Sequence, residues 1–121
     1  MIVDEEVILA RFIGAIPVDG FVYNELYPVL EIDHSSDGSF VRTISPADNS
    51  AFLIELRSFE IICNSCDHYV LFVEDGGIRI VHALLSGDQF WERYYDNFPD
   101  ERAAVRSMIR GNSAAYSPAR M

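Results

Sequence analysis

NELYPVLEIDHSSDGSFVRTISPADNSAFLIELRSFEII, residues 24–62, alternates short apolar runs with loops of Pro, Asp, Asn, Ser and Gly. Closely spaced strands have this rhythm, because turn residues punctuate runs that are too short for helices. Leu26–Asp33, Ser39–Ile44, Ala51–Leu56 and Phe59–Ile62 are the predicted strands. The last two are joined by a tight link through Arg57 and Ser58. Pro28 has no N–H for a ladder, which restricts it to an edge, a bulge or the start of a strand. So many short strands in one stretch predict a small barrel that curls onto itself.

Working outward toward the N-terminus, Val7–Ile13 alternates with both faces largely apolar, as in a strand covered on two sides, and Gly14 ends it. Residues 14–25 form a longer connection broken by Pro17, Asp19 and Gly20, with Phe21 and Tyr23 expected to fold back on the strands. The order E-L-Y-x-V-L-E at 25–31, F-V-R-x-I at 40–44 and F-E-I-I at 59–62, with a turn between each, resembles small SH3-like β-barrel domains of phage and bacterial proteins. The resemblance spans residues 7–62 and implies the fold. The polyproline-binding branch of those domains uses an A-L-Y-D-Y loop and a tryptophan pair. Neither occurs here, since Trp91 is the only tryptophan and lies outside the stretch, so no binding residue is carried over.

Beyond Ile62 comes CNSCDH at 63–68. Cys63 and Cys66 with His68 are weak zinc candidates, with His34 or His82 to complete a tetrahedral set; a second cysteine pair, usual in structural zinc sites, is missing. The ordinary reading is two reduced thiols in a connection, and no cofactor is expected. A thioredoxin-type role would need these cysteines to open a helix, whereas a strand follows them. His68–Glu74 and Ile78–Leu85 flank Asp75-Gly76-Gly77, a hairpin signal. His82 falls among apolar neighbours and reads as a hydrogen-bonded packing residue.

The apolar period then lengthens. Ser86 and Gln89 have the spacing of a capping box, and Phe90, Trp91, Tyr94, Tyr95 and Phe98 give the following helix a broad aromatic face. That face is expected to pack on the hairpin, with an exposed protein-binding or homodimer surface as its rival. Pro99, Asp100 and Glu101 open a second helix predicted to run to Arg110 and stop at Gly111. The fold class is therefore α+β: a five-stranded SH3-like barrel over 1–62, then a hairpin and two helices over 63–110 packed on it as one compact unit, then a flexible tail over 111–121.

Charge narrows the function. The 121 residues carry 19 acids and 9 basic residues, net -10, and every basic residue is Arg. Residues 1–62 hold 11 acids and 3 Arg, a net of -8; residues 102–121 hold no acid and 4 Arg, a net of +4. Such a surface repels phosphate, so direct nucleic-acid binding is not expected and a protein partner with a basic surface is. The N-terminus begins with acids and its apolar run is broken by Arg11, which does not fit a secretory signal. No apolar run approaches the ~20 residues of a membrane span, so a cytoplasmic location is expected. There is no nucleophile elbow, phosphate loop or strong metal motif, and an enzyme is not expected.

These features point to an acidic protein-binding module. Its sharper form is a phage-encoded inhibitor of the anti-CRISPR or DNA-mimic type, which covers the basic nucleic-acid groove of a host complex. The alternatives are an immunity or antitoxin-type protein that neutralises a cognate toxin, and a small enzyme or zinc-stabilised accessory protein. Charge density and expected exposure select Asp19, Tyr23, Glu25, Tyr27, Glu31, Asp33 and Asp37 as partner-binding residues. A second candidate interface combines Trp91 and Tyr95 with the row Arg102, Arg106 and Arg110, which also has the simpler reading of a solvated or internally paired face.

Overall fold

The computed structural model of the chain describes residues 7–14, 20–63, 66–74 and 76–111. Eight strands and two helices follow in order: β1 (Leu9–Phe12), β2 (Leu26–Pro28), β3 (Glu31–Ser35), β4 (Gly38–Ile44), β5 (Ala51–Glu55), β6 (Phe59–Ile62), β7 (Tyr69–Glu74), β8 (Gly77–His82), α1 (Phe90–Tyr95) and α2 (Pro99–Gly111). The class is α+β, mostly strands with two short C-terminal helices. No helix among the described residues is long and apolar enough to cross a membrane.

Two antiparallel sheets are formed, ordered β2-β1-β6 and β5-β4-β3-β8-β7. Both are open, so the closed five-stranded barrel expected over the first 62 residues is not what the strands build. The expected strand over Leu26–Asp33 divides in two, and the cause is local. Pro28 ends β2 on the edge of the small sheet. The next two residues change partners: Val29 N donates to Ile8 O at 2.8 Å, whereas Leu30 N donates to Arg42 O at 2.8 Å. Both are fully buried, so this corner carries the chain from one sheet into the other through the core. A 3-10 turn at Leu56–Ser58 carries it back. The other unexpected feature is a pairing across the halves of the sequence, with β8 antiparallel to β3 from Glu31↔Val81 to Ser35↔Gly77.

The large sheet has a core on each face. On one face Val41, Ile54 and Val29 pack with Ile8, Ala10, Phe12, Phe21, Tyr27 and Phe59 of the small sheet and its loop. On the other, Ile44, Ala51, Val81 and Leu30 meet Phe90, Tyr94, Val105 and Met108 of the two helices. Strand residues of opposite parity thus feed two different cores, which explains why the strands of residues 7–62 are apolar on both sides. Tyr69 fastens the sheets together, its hydroxyl accepting from Ile8 N at 2.9 Å and donating to Val29 O at 2.6 Å.

The second half follows its expected order with two corrections. The strand expected to reach Leu85 ends at His82, where a 3-10 turn at Ala83–Leu85 begins and the His82 Nδ1 accepts from Leu84 N at 3.2 Å. The capping box does not form. Ser86 Oγ instead donates to Ala83 O at 2.8 Å, and Gln89 takes a left-handed conformation, φ 58°, before α1 starts. The second helix starts at Pro99 as expected and ends at Gly111; the rest of the expected tail lies outside the described residues.

Candidate protein-binding surface

Six of the seven first-choice residues are described, and the structure separates them. Tyr27, expected at the surface, is instead a core residue; its ring packs edge-on to Phe21 and its hydroxyl accepts from Val22 N at 2.9 Å. Glu31 is also buried, a second correction. It begins β3, opposite Arg42 on β4 and Val81 on β8, and its side chain lies on the face that carries the helices. Arg42 approaches it at 3.4 Å and Arg79 at 3.6 Å. Despite both guanidinium groups, the Glu31 carboxyl is raised from 4.5 to about 7, first because burial penalises its charged form and next because it hydrogen-bonds the Asp33 carboxyl. A hydrogen bond between two carboxyls requires a proton on one of them. Asp33 Oδ1 is buried without a hydrogen-bond partner among the described residues.

The flanks of this cluster are aromatic. The Arg42 guanidinium lies 4.5 Å from the Trp91 ring centre and donates to the Tyr95 hydroxyl at 2.9 Å, and that hydroxyl in turn donates to Ala51 O at 3.1 Å. Arg79 stacks over Phe72 at 4.7 Å and reaches Glu74 at 3.4 Å. Trp91 and Tyr95, the aromatic members of the second candidate interface, are therefore partly spent on holding Arg42 over Glu31. The cluster can hold a proton and fix two arginines. Glu31 is only 2% exposed between them, too enclosed to reach a substrate.

The remaining choices stay at the surface. Tyr23 is 68% exposed, Glu25 is half-buried and Asp37 is exposed at the tip of the β3–β4 turn. Asp19 lies outside the described residues. Backbone bonds bring Tyr23 and Glu25 to the end of the molecule where Asp37 also sits: Asn24 N donates to Phe12 O at 2.7 Å, and the next residue, Ile13, donates its N–H to Ser58 O at 2.8 Å. The Leu56–Ser58 turn thus lies between that loop and an open cleft lined by Asp37, Gly38, Ser39, Phe40, Glu55, Leu56 and Arg57. Ile13 and Val22, not selected from the sequence, are also bare here, at 42% and 54%. Asn24 holds φ 74° in this loop, which fixes the tip that presents Tyr23.

The described members of the arginine row differ in exposure. Arg102 is half-buried, donating to Asn97 Oδ1 at 2.6 Å with its guanidinium 4.2 Å from the Tyr94 ring centre. Arg106 is exposed, and the Arg110 side chain lies outside the described residues. An acidic series not expected from the sequence is exposed here: Asp88, Glu92, Asp96 and Asp100 recur every four residues along α1 and its connection to α2. Their spacing was visible but was masked by the aromatic residues between them.

Cys63 and Cys66 form no disulfide and are exposed with their sulfurs 3.4 Å apart, and His68 is exposed beside them. Among the described residues no three His, Cys, Asp or Glu side chains are grouped as a metal would need. His34 instead hydrogen-bonds Ser39 Oγ at 2.6 Å, and the buried His82 ring stacks 6.1 Å from that of His68. Comparison of the chain with protein-family models, curated proteins and solved structures finds no match.

Proposed function

We propose that this chain is a non-enzymatic protein-binding module that offers an acidic surface to a basic partner, in the manner of phage-encoded anti-CRISPR or DNA-mimic inhibitors. The carrying observation is the end surface around Tyr23. Exposed Ile13, Val22 and Tyr23 adjoin Glu25, with Glu55 and Asp37 across the 56–58 turn. An aromatic anchor among small apolar contacts, with more acids than arginines at its rim even though Arg57 pairs with Glu55 there, is the composition of a protein-binding hot spot for a basic surface.

Internal pairing supports the same reading. Arg11, Arg42, Arg57, Arg79 and Arg93 all close on acids of the chain itself, at 2.9 to 3.6 Å. The excess acids therefore determine the outer field, and Asp48 is held ionised below the usual carboxylate range by hydrogen bonds from Ser50. As part of this proposal, residues 7–62 are an SH3-like unit opened at its seam. Supporting it are six consecutive short strands shared between two sheets, with a buried corner at Val29–Leu30.

Retention of cellular proteins on the immobilised chain tests the proposal. Nucleic-acid-binding proteins are expected to be retained, released by excess duplex DNA, and lost from a Tyr23→Ala/Asp37→Asn/Glu55→Gln variant. Retention indifferent to both DNA and the substitutions would overturn it.

A further inference from the structure

Cys63 and Cys66 are the two cysteines of the chain, and they flank its passage from the small sheet to the large one. Cys63 directly follows Ile62, the last residue of β6, which is paired with Leu9 of β1. Cys66 is tied to the start of β7, because its carbonyl accepts from Tyr69 N at 3.0 Å. The Tyr69 hydroxyl reaches back to Ile8 N and Val29 O. Each cysteine is thus anchored to a different sheet, and Tyr69 holds the two sheets together beside them. How the sheets pack therefore sets the separation of the sulfurs.

That separation is 3.4 Å, and both residues are exposed. A disulfide bond is about 2.05 Å long, so closure needs an approach of about 1.4 Å, within reach of side-chain rotation. The sulfurs also act on the Tyr69 phenol. Burial first, and then the negative charge the two thiols carry when ionised, raise its pKa above the ordinary value. With no third His, Cys, Asp or Glu side chain grouped with them among the described residues, the pair is better suited to bonding with itself than to chelating a metal.

We propose that Cys63 and Cys66 are a reversible disulfide-forming site, oxidised by exchange with small-molecule disulfides of the glutathione class. One cysteine thiolate attacks a sulfur of the small disulfide, whose S–S bond breaks to release one small thiol. The other cysteine thiolate then attacks the protein sulfur of the mixed disulfide, forming the Cys63–Cys66 bond and releasing the second small thiol. Two electrons pass from the chain to the small disulfide, and the two cysteine protons end on the two thiols released. Exposure admits the first reactant, and the close sulfurs make the second attack intramolecular. The product is a covalent clasp between the end of β6 and the start of β7, beside the hydroxyl that already fastens the sheets.

Equilibration of the folded full chain with reduced and oxidised glutathione, quenched in acid and read by intact mass, tests this site. The wild-type chain should become two hydrogens lighter with glutathione adducts scarce, whereas Cys63→Ser and Cys66→Ser should each accumulate a single glutathione. Because the fold holds the sulfurs together, the folded chain should reach half-oxidation at a ratio of squared reduced to oxidised glutathione at least about tenfold higher than the same chain in urea. A wild-type chain that carries only glutathione adducts would overturn the proposal. So would a disulfide-linked dimer in place of the lighter monomer, or a folded chain no easier to oxidise than the unfolded one.

Discussion

Glu31 shows how one residue's role turns on which side of a strand is covered. Alternation places Glu31 and Asp33 together on one side of β3, and that much is legible from the sequence. Which side faces water is not, because the helices that cover it lie some sixty residues further on. Tyr27 is misplaced by the same ambiguity on β2. The buried Glu31 carboxyl makes a prediction with a definite sign. Its folded pKa of about 7 exceeds the ordinary 4.5. The folded state therefore holds a proton that the unfolded chain releases, and the resulting stability is complete below about pH 4.5 and lost as pH rises through 7. The difference amounts to on the order of 3 kcal/mol at most. Glu31→Gln keeps an N–H donor for Asp33 and does not titrate. Relative to this variant, the wild type should be more stable at pH 5 than at pH 8, read from urea midpoints. A gap that does not change with pH would show that Glu31 is ionised throughout.

At the element scale, the strands were legible because each is a short apolar run bounded by turn residues, and α2 because Pro99 and the acids after it mark a start. The β3–β8 pairing was not legible. Nothing local in EIDHS or GIRIVH specifies the other, and the register is set by packing in the assembled sheet. Gly77 marks the pairing in hindsight: a Cβ there would run into the carbonyl oxygen of His34. Gly77→Ala should therefore cost about 2 kcal/mol or more of unfolding free energy, as forcing atoms into a packed site does. Tyr69→Phe tests how the sheets are fastened. It removes the hydroxyl that serves Ile8 N and Val29 O, and should cost about 1–3 kcal/mol by denaturant titration. The helix start carries the opposite expectation. Gln89 is left-handed and its side chain accepts no capping hydrogen bond, so Gln89→Gly should raise stability by up to about 1 kcal/mol. A loss of that size would mean the Gln89 side chain is serving α1 in some other way.

Over the whole molecule, net charge was readable at once, but its distribution was not. The sequence suggests a dipole, an acidic barrel against a basic C-terminal row. In the structure several described arginines are spent on nearby acids and aromatic rings, as with Arg42 on Glu31 and Trp91 and Arg102 on Tyr94, while Arg106 stays exposed. Among the described residues, exposed acids lie on the Tyr23 end and along Asp88, Glu92, Asp96 and Asp100. The two surfaces make different predictions. If the Tyr23 end is the binding face, neutralising Asp88, Glu92, Asp96 and Asp100 to Asn and Gln should alter partner association rate and its salt response while leaving the anchored complex intact. Comparison of capture by the two sets of variants separates them.

The most direct test of the acidic-surface account is the affinity of the chain for a retained partner at about 50 and 500 mM salt, a range over which exposed charge attraction is strongly screened. The account predicts an affinity that falls at least tenfold across that range, and falls far less for the Tyr23→Ala/Asp37→Asn/Glu55→Gln variant. An affinity unchanged by salt would contradict it.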